Sequence, residues 1–409
     1  MKIHYADWNE FRASKLKLDM SRGKPSPEQL GLSQALLDDP AYTSALAGDG
    51  TDCRNYGALL GIPEARRLFA ELLGVSADET VVAGNSSLAL FHDSIVFLML
   101  HGAPGFRPWR DQGPVKFICP VPGYDRHFSI CETLGIHMLP VPLLADGPDM
   151  DEVERLVARD PSIKGMWCMP KYSNPSGTIY SAEAARRLGG MPTAAPDFRL
   201  FWDDAYRFHH LTEERVATPD ILAICKERGV PDRPILFMST SKITFASGGV
   251  AALASSVANV RWWERHLSIQ TIGPDKLNQL RHVKFFRDRN GIEAHMDRHR
   301  ALLRPKFDAV QRVFDTLLGG IPRVSWTRPK GGYFIDLVTP PRVARRTVEL
   351  ARSAGLTLTP AGASFPYRHD SNDQHIRIAP SYPSLEEIEL AAEGIALALL
   401  HVTAAHTAA

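Results

Sequence analysis

The stretch Pro234-Ile-Leu-Phe-Met238, followed by Ser239-Thr240-Ser241-Lys242, decides how this chain is read. An apolar run that ends in three hydroxyl residues and a lysine reads as a buried strand delivering an amine to the edge of a core. Desolvating an ammonium is expensive unless its pKa falls. The chemistry that exploits such a lysine is attack of its amine on a carbonyl to form an imine. The hydroxyls beside it, Ser239 and Ser241, suit a phosphate. Taken alone, the same four residues also suit a solvated Ser/Thr turn, so the rest of the chain has to choose.

Outward from this segment, short apolar runs alternate with longer amphipathic ones. Lys116–Cys119, Ile136–Val141, Ile163–Met169, Leu200–Trp202, Ile235–Met238 and Val250–Ala254 read as strands. Most are continuously apolar, as expected when helices cover both faces of a parallel sheet. Asp149–Arg159, Ala182–Gly189 and Asp220–Arg228 read as the intervening helices. This alternation predicts an α/β fold with a mostly parallel central sheet. Beyond it, Ile292–Leu318 is a long amphipathic helical stretch in which Pro305 should bend the helix or begin a second one. Gly332–Leu337 and His375–Ile378 read as strands, and Arg342–Ala354 and Ser384–Leu400 as helices, which suits a smaller α+β domain. The expected division is 1–48 as an N-terminal arm and part of the small domain, 49–295 as the large domain, and 296–409 as the small C-terminal domain. The Ala/Thr-rich end Val402–Ala409 is expected to fray.

Composition excludes several classes of function. The chain has 409 residues, 23% of them charged, and a formal net charge of +1. That balance gives no reason to expect nucleic acid or a membrane surface as partner. The longest apolar run, Ile95–Leu100, is far too short to span a bilayer, and the N-terminus has no apolar signal core. Five scattered cysteines without a CxxC pair point to a reducing compartment, so a cytoplasmic enzyme is expected.

In an open parallel sheet, ligands sit outside the carboxyl ends of the strands, and four groups of residues fall at such places. Phe201-Trp-Asp203-Asp-Ala-Tyr206 puts a carboxylate and a phenol after a strand. Asp203 could stay ionised beside a protonated pyridine nitrogen, or it could simply cap a helix. Tyr206 could hydrogen-bond a phenolic oxygen. In Tyr172-Ser-Asn174-Pro-Ser-Gly the Asn174 amide could donate to a ring oxygen or a carboxylate, although Asn-Pro and Ser-Gly also make ordinary turns. Gly84-Asn85-Ser86-Ser87 precedes the apolar helix Leu88–Leu100 and offers free N–H groups and hydroxyls to an anion, or an ordinary cap. Arg377 lies between Ile376 and Ile378, a position that bidentate binding of a carboxylate would justify. Pyridoxal 5'-phosphate (PLP) held as a Schiff base on Lys242 accounts for all of these together.

With these segments in order, the chain resembles fold-type I PLP enzymes, and class I aminotransferases in particular. It is most similar to the bacterial aspartate aminotransferase branch related to the aminotransferase-like domain of MocR-type regulators. Asp19–Ser26, Cys53–Gly57, Pro122–His127, Pro170–Pro175, Ser241–Phe245, Thr271–Lys276 and Pro360–Phe365 carry that likeness, which covers essentially the whole chain. The resemblance implies that Lys242 is the Schiff-base lysine and proton carrier, that Asp203 pairs with the pyridine nitrogen, and that Tyr206 and Asn174 contact the ring oxygen. It also implies that Tyr124 stacks on the ring, that His127 stands behind the aspartate, and that Asn85, Ser86, Ser87, Ser239 and Ser241 hold the phosphate. Gly23, Asn174 and Arg377 would bind substrate. Tyr56 of the partner subunit would complete the site, so a homodimer with shared active sites is implied. The implied reaction is transfer of an amino group from L-aspartate to 2-oxoglutarate. Other amino donors, aromatic ones included, and β-lyase or decarboxylase chemistry are the alternatives on the same scaffold.

Two departures stand out. The arginine that usually follows the lysine and binds the phosphate is absent, because Ser247-Gly-Gly-Val250 occupies that region. The arginine that usually reads the distal carboxylate is also missing from His266–Gln270. Arg22, Lys24, Lys171 and Arg281 are the substitutes the sequence offers.

Overall fold

The computed structural model describes residues 3–38 and 44–407, with side chains up to residue 405. Residues 1–2 and 39–43 of the predicted arm, and 408–409 of the Ala/Thr-rich end, lie outside the described residues. Eight strands form one sheet in the order Thr80–Val82, Ala251–Ala254, Pro234–Ser239, Arg199–Asp203, Ile163–Cys168, Lys116–Val121, His137–Leu144 and Gly147–Pro148. Pairing is parallel from Pro234–Ser239 through His137–Leu144, while Ala251–Ala254 runs antiparallel to both of its neighbours.

The continuous apolar runs have a direct cause. Ile118, Met166, Leu200, Trp202 and Leu236 face one core, whereas Phe117, Trp167, Phe201, Ile235 and Phe237 face another. Alternate side chains point to opposite faces, and both faces are covered, so every position must be apolar. The predicted helices form as Met150–Val157, Ala182–Gly190 and Ile221–Glu227. Asp149, Ser181 and Asp220 cap them, each accepting a backbone N–H from the first turn.

A third core gathers the C-terminal elements. Ser325–Trp326, Ile335–Val338 and His375–Ile378 form an antiparallel sheet. Arg289–Leu317 is a single helix with Pro305 inside it, so the predicted second helix does not begin there. A proline in a helix interior costs roughly 3 kcal/mol. Burial of Leu303, Phe307, Val310 and Phe314 on the same helix opposes that cost. Trp8, Phe11, Leu18 and Met20 of the arm join this third core, and Leu18–Asp19 pairs with Leu356–Thr357.

The last helix corrects two readings of the sequence. Leu385–Thr407 continues through most of the segment expected to fray, and Val402 is buried. By length and composition it is apolar enough to cross a membrane, a stretch that the run Ile95–Leu100 does not represent. Its residues Ile388, Ala391, Ile395 and Leu399 are fully buried, in a core shared with Arg289–Leu317.

Behind the sheet's carboxyl end runs a chain of buried polar groups. Gln29 Nε2 donates to His299 Nδ1 at 2.9 Å, and His295 Nε2 donates to the Ile243 carbonyl at 2.9 Å. Burial pushes the His295 imidazole down to about 4, and burial together with its neighbour His295 pushes His299 to about 3. A histidine kept neutral in the fold takes up a proton on unfolding. Its contribution is therefore whole above pH 6.5, the ordinary value, and is lost as pH falls through the native value. Stability should drop between about pH 6.5 and about 4, and His299→Gln should flatten that drop; denaturant titrations at stepped pH read both effects.

Candidate active site

Four strand ends of the large sheet open toward one place. Tyr124 follows Lys116–Val121, Asn174 follows Ile163–Cys168, Asp203 ends Arg199–Asp203, and Lys242 follows Pro234–Ser239. A cavity of about 720 Å³ lies there, lined by Gly23, Tyr124, Asn174, Tyr206, Lys242 and Arg377 among others. Those six come from separate parts of the sequence, and the topology alone brings them together.

Lys242 is held from behind. Its carbonyl accepts from Tyr333 Oη at 3.2 Å and from His209 Nε2 at 3.2 Å. Gly249, on the returning segment, passes so close that a Cβ there would lie 2.8 Å from the Ser241 nitrogen. This contact explains why glycine stands in the region where an arginine was expected. The amine lies 5.2 Å from the Tyr206 ring, and burial lowers its pKa against the opposing pull of Asp203.

Asp203 is buried and fixed. Its Oδ2 lies 3.0 Å from His127 Nε2, and its Oδ1 accepts from the Ala205 nitrogen at 3.2 Å. The His127 ring stacks on Trp167 with centroids 4.1 Å apart, so its plane cannot turn away. Arg377 crosses from the small sheet. Its Nη1 donates to Asp125 Oδ1 at 2.8 Å and to Asn174 Oδ1 at 3.3 Å, and its guanidinium lies 5.1 Å from the centre of the Phe334 ring. Because the Asn174 oxygen faces Arg377, its amide N–H₂ group faces elsewhere.

The donor set fits PLP. The Lys242 amine, the Tyr206 hydroxyl and the Asn174 Nδ2 group line the cavity, yet none has a hydrogen-bond partner among the described residues. An aldehyde and a neighbouring phenolic oxygen would satisfy all three. None of the residues expected to hold the phosphate is in that lining, and Asn85 borders a separate cavity. Ser239 Oγ and Ser241 Oγ are 2.7 Å apart, and no side chain caps the helix Ser87–His101 at Ser86, which leaves its first N–H groups free. Asn85 is exposed and its amide donates to the Ser247 carbonyl at 2.7 Å. Tyr56 is 76% exposed.

Of the four cations proposed for a distal carboxylate, only Arg22 lines the cavity. Lys24 lies over the Tyr382 ring, Lys171 borders a separate cavity, and Arg281 borders a third one beside Asn85. Arg126, Arg345 and Arg352 also line the main cavity. Sequence reasoning did not single them out, nor did it find Asp125, Phe334, His209 or Tyr333. Asp125 and Arg126 were within reach, because they belong to the stretch Pro122–His127.

Gly23 touches the site through Phe334. A Cβ at this position would lie 2.4 Å from Phe334 Cζ, so the ring would have to move against Arg377. Gly23→Ala should weaken binding of a small carboxylate such as succinate by about tenfold, or ~1.4 kcal/mol, with unchanged far-ultraviolet circular dichroism; calorimetric titration measures it.

Comparison with known proteins bears on the family. A family model described as aspartate amino-transferase matches residues 2–409. An aspartate aminotransferase from Corynebacterium glutamicum is 46% identical over 402 residues, spanning 98% of this chain and 93% of that protein. The crystal structure of an aspartate transaminase from Corynebacterium glutamicum superposes with a TM-score of 0.95 at 46% identity, covering 98% of this chain and 94% of that one. An α-aminoadipate aminotransferase from Thermus thermophilus, solved with a phosphopyridoxyl-leucine adduct, shares the fold with a TM-score of 0.76 at 22% identity, over 98% of this chain and 96% of that one. The unpartnered lysine, phenol and amide, at the carboxyl ends of a sheet with this topology, thus belong to a member of the aspartate aminotransferase family, a fold-type I PLP-dependent aminotransferase.

Proposed function

We propose that the enzyme moves the amino group of L-aspartate to 2-oxoglutarate, giving oxaloacetate and L-glutamate. Both half-reactions use one site, so the kinetics are ping-pong. The observation that carries this reading is that Arg22 and Arg377 line the same cavity as Lys242. Two guanidiniums suit the two carboxylates of a dicarboxylic amino acid.

Asp203 would pair with the cofactor's pyridine nitrogen, Tyr206 and Asn174 with its ring oxygen, and Tyr124 with its ring face. Asn85, Ser86, Ser87, Ser239 and Ser241 would hold its phosphate, together with Tyr56 of the partner subunit. PLP, when bound, supplies the electron sink for the substrate's Cα–H bond. The protein's own work is orientation and proton transfer. Arg377 fixes the α-carboxylate while Phe334 covers one face of the guanidinium. Arg22 takes the distal carboxylate and sets which Cα substituent points away from Lys242. The Lys242 amine, more readily neutral because burial lowers its pKa, accepts the proton from Cα. His127 keeps the Asp203 carboxylate oriented.

A homodimer completes this reading. Tyr56, Ile269 and Ile272 are exposed at 76%, 88% and 64%, and Gly57 and Gly273 touch, which puts Tyr56 and Ile272 on one face. Five buried free cysteines support a reducing, cytoplasmic setting. The near-neutral charge supports a small-molecule enzyme without nucleic acid or membrane as partner. The separate cores support the division into an arm at 1–48, a large domain at 49–295 and a small domain at 296–409.

A panel of amino donors with 2-oxoglutarate tests the substrate. L-Aspartate should give the highest kcat/KM, and Arg22→Met should raise its KM by about tenfold or more while leaving that for L-alanine nearly unchanged. Release of ammonia and pyruvate without an acceptor would instead identify a lyase. Ser239→Ala should weaken cofactor retention during dialysis, because no downstream arginine shares the phosphate; unchanged retention removes Ser239 from that role.

A further inference from the structure

Lys171 is the one sequence-derived candidate that the catalytic pocket leaves unused in a buried position. It is 3% exposed and borders a cavity of about 240 Å³, together with Arg207, His210, Arg215, Thr218 and Arg289. The arginines are already answered by carboxylates. Arg207 pairs with Asp204, Arg215 with Glu293 and Asp297, and Arg289 with Glu293. Lys171 is not. Its amine donates to the Val216 carbonyl, and among the described residues no carboxylate lies within 4.0 Å of it. The Lys171–Tyr172 ring contact, at 5.4 Å, is too long to replace a counter-ion. Thr218 Oγ1, in the same lining, is buried without a hydrogen-bond partner.

Glu293 also lines the cavity, where it is paired with Arg215 and Arg289. The ammonium with spare donors, the unpartnered hydroxyl and the three guanidiniums around it still leave a surplus of donors and positive charge that suits an anion. Burial lowers the Lys171 pKa to about 8, which leaves the amine mostly protonated at neutral pH. His210, pushed by burial to about 4 and hydrogen-bonded to Tyr172 Oη at 2.7 Å, adds no charge there. We propose that this cavity binds a small oxyanion, a phosphate or a carboxylate group, seated on Lys171 and Thr218 with Arg215 at its mouth. The site stands apart from the transamination pocket but backs directly onto it. Lys171 belongs to the segment that carries Asn174, and Arg207 follows Tyr206. Occupancy therefore stiffens the loops that present both residues to the catalytic cavity.

The test uses inorganic phosphate and acetate as probes in equilibrium dialysis at pH 7. The enzyme is loaded with the phosphopyridoxyl-L-aspartate adduct, which fills the catalytic pocket without adding a free carboxylate that would compete at the second site. Phosphate or acetate should bind once per protomer under these conditions. Lys171→Met should weaken that binding by about tenfold or more, Arg215→Gln should weaken it severalfold, and Arg377→Lys should leave it unchanged. The probe that binds more tightly assigns the anion as phosphate-like or carboxylate-like. Should Lys171→Met fold poorly, Thr218→Val carries the same expectation of weaker binding. Absence of binding by both probes, binding indifferent to Lys171 and Thr218, or binding lost with Arg377→Lys overturns the proposal. None of these outcomes bears on the aspartate reading, which rests on Arg22 and the donor panel.

Discussion

Everything in this molecule is arranged around the cost of keeping one amine out of water. Lys242 has no ion pair and no hydrogen bond on its amine among the described residues, and burial drives its pKa down. Such a group persists only when the backbone beneath it is fixed by other means. Those means come from three parts of the chain. The parallel strand Pro234–Ser239 delivers the segment, His209 and Tyr333 grip the Lys242 carbonyl, and Gln29 of the arm donates to Tyr333 Oη at 3.1 Å. The arm, the large sheet and the C-terminal elements therefore meet at the one residue the chemistry needs. The His295 and His299 pair extends the same network, so protonation there loosens the scaffold behind the lysine as well as the fold.

The large sheet was legible in the sequence because two buried faces force continuous apolar runs, which no surface helix imitates. What escaped were strands too short to carry a period, namely Thr80–Val82, Gly147–Pro148, Leu18–Asp19, Leu356–Thr357 and Ser325–Trp326. Pairing with a neighbour decides these, not local preference. The end of the last helix was misread for a similar reason. Ala and Thr alone suggest a fraying tail, yet Val402 packs into the third core and holds those turns. That Tyr206, Asn174 and Lys242 come to line one cavity was legible because ligands of open sheets sit at the carboxyl ends of strands. His209 and Tyr333 were not, since each acts through a backbone carbonyl that no sequence pattern marks.

Electrostatics at Arg377 show how the site balances attraction against release. Its guanidinium is 9% exposed and already paired with Asp125, which is 32% exposed. An unpaired buried guanidinium would be costly, so Asp125 keeps it charged and in place while the cavity is empty of carboxylate. Any carboxylate that approached Arg377 would have to share or displace that partner, which would offset some of its binding energy. Arg22, Arg126, Arg345 and Arg352 around the same cavity keep the local field positive despite Asp125 and Glu349.

That balance also explains why the cavity sits where two bodies meet. Arg377 comes from the small antiparallel sheet and Asp125 from the first turn of a helix on the large one. Their ion pair, with the Arg377–Asn174 contact, already ties the two together across the cavity. Met169, Tyr172 and Tyr206 of the large sheet's loops are packed into the third core beside Tyr333 and Phe334. The seam between Arg377 and Lys242 is thus already packed and charge-paired. A few side chains, Arg377, Asp125, Asn174 and Phe334, set the geometry of that seam. Gly23 bears on it directly, because a methyl group there would press on Phe334, whose ring lies against Arg377.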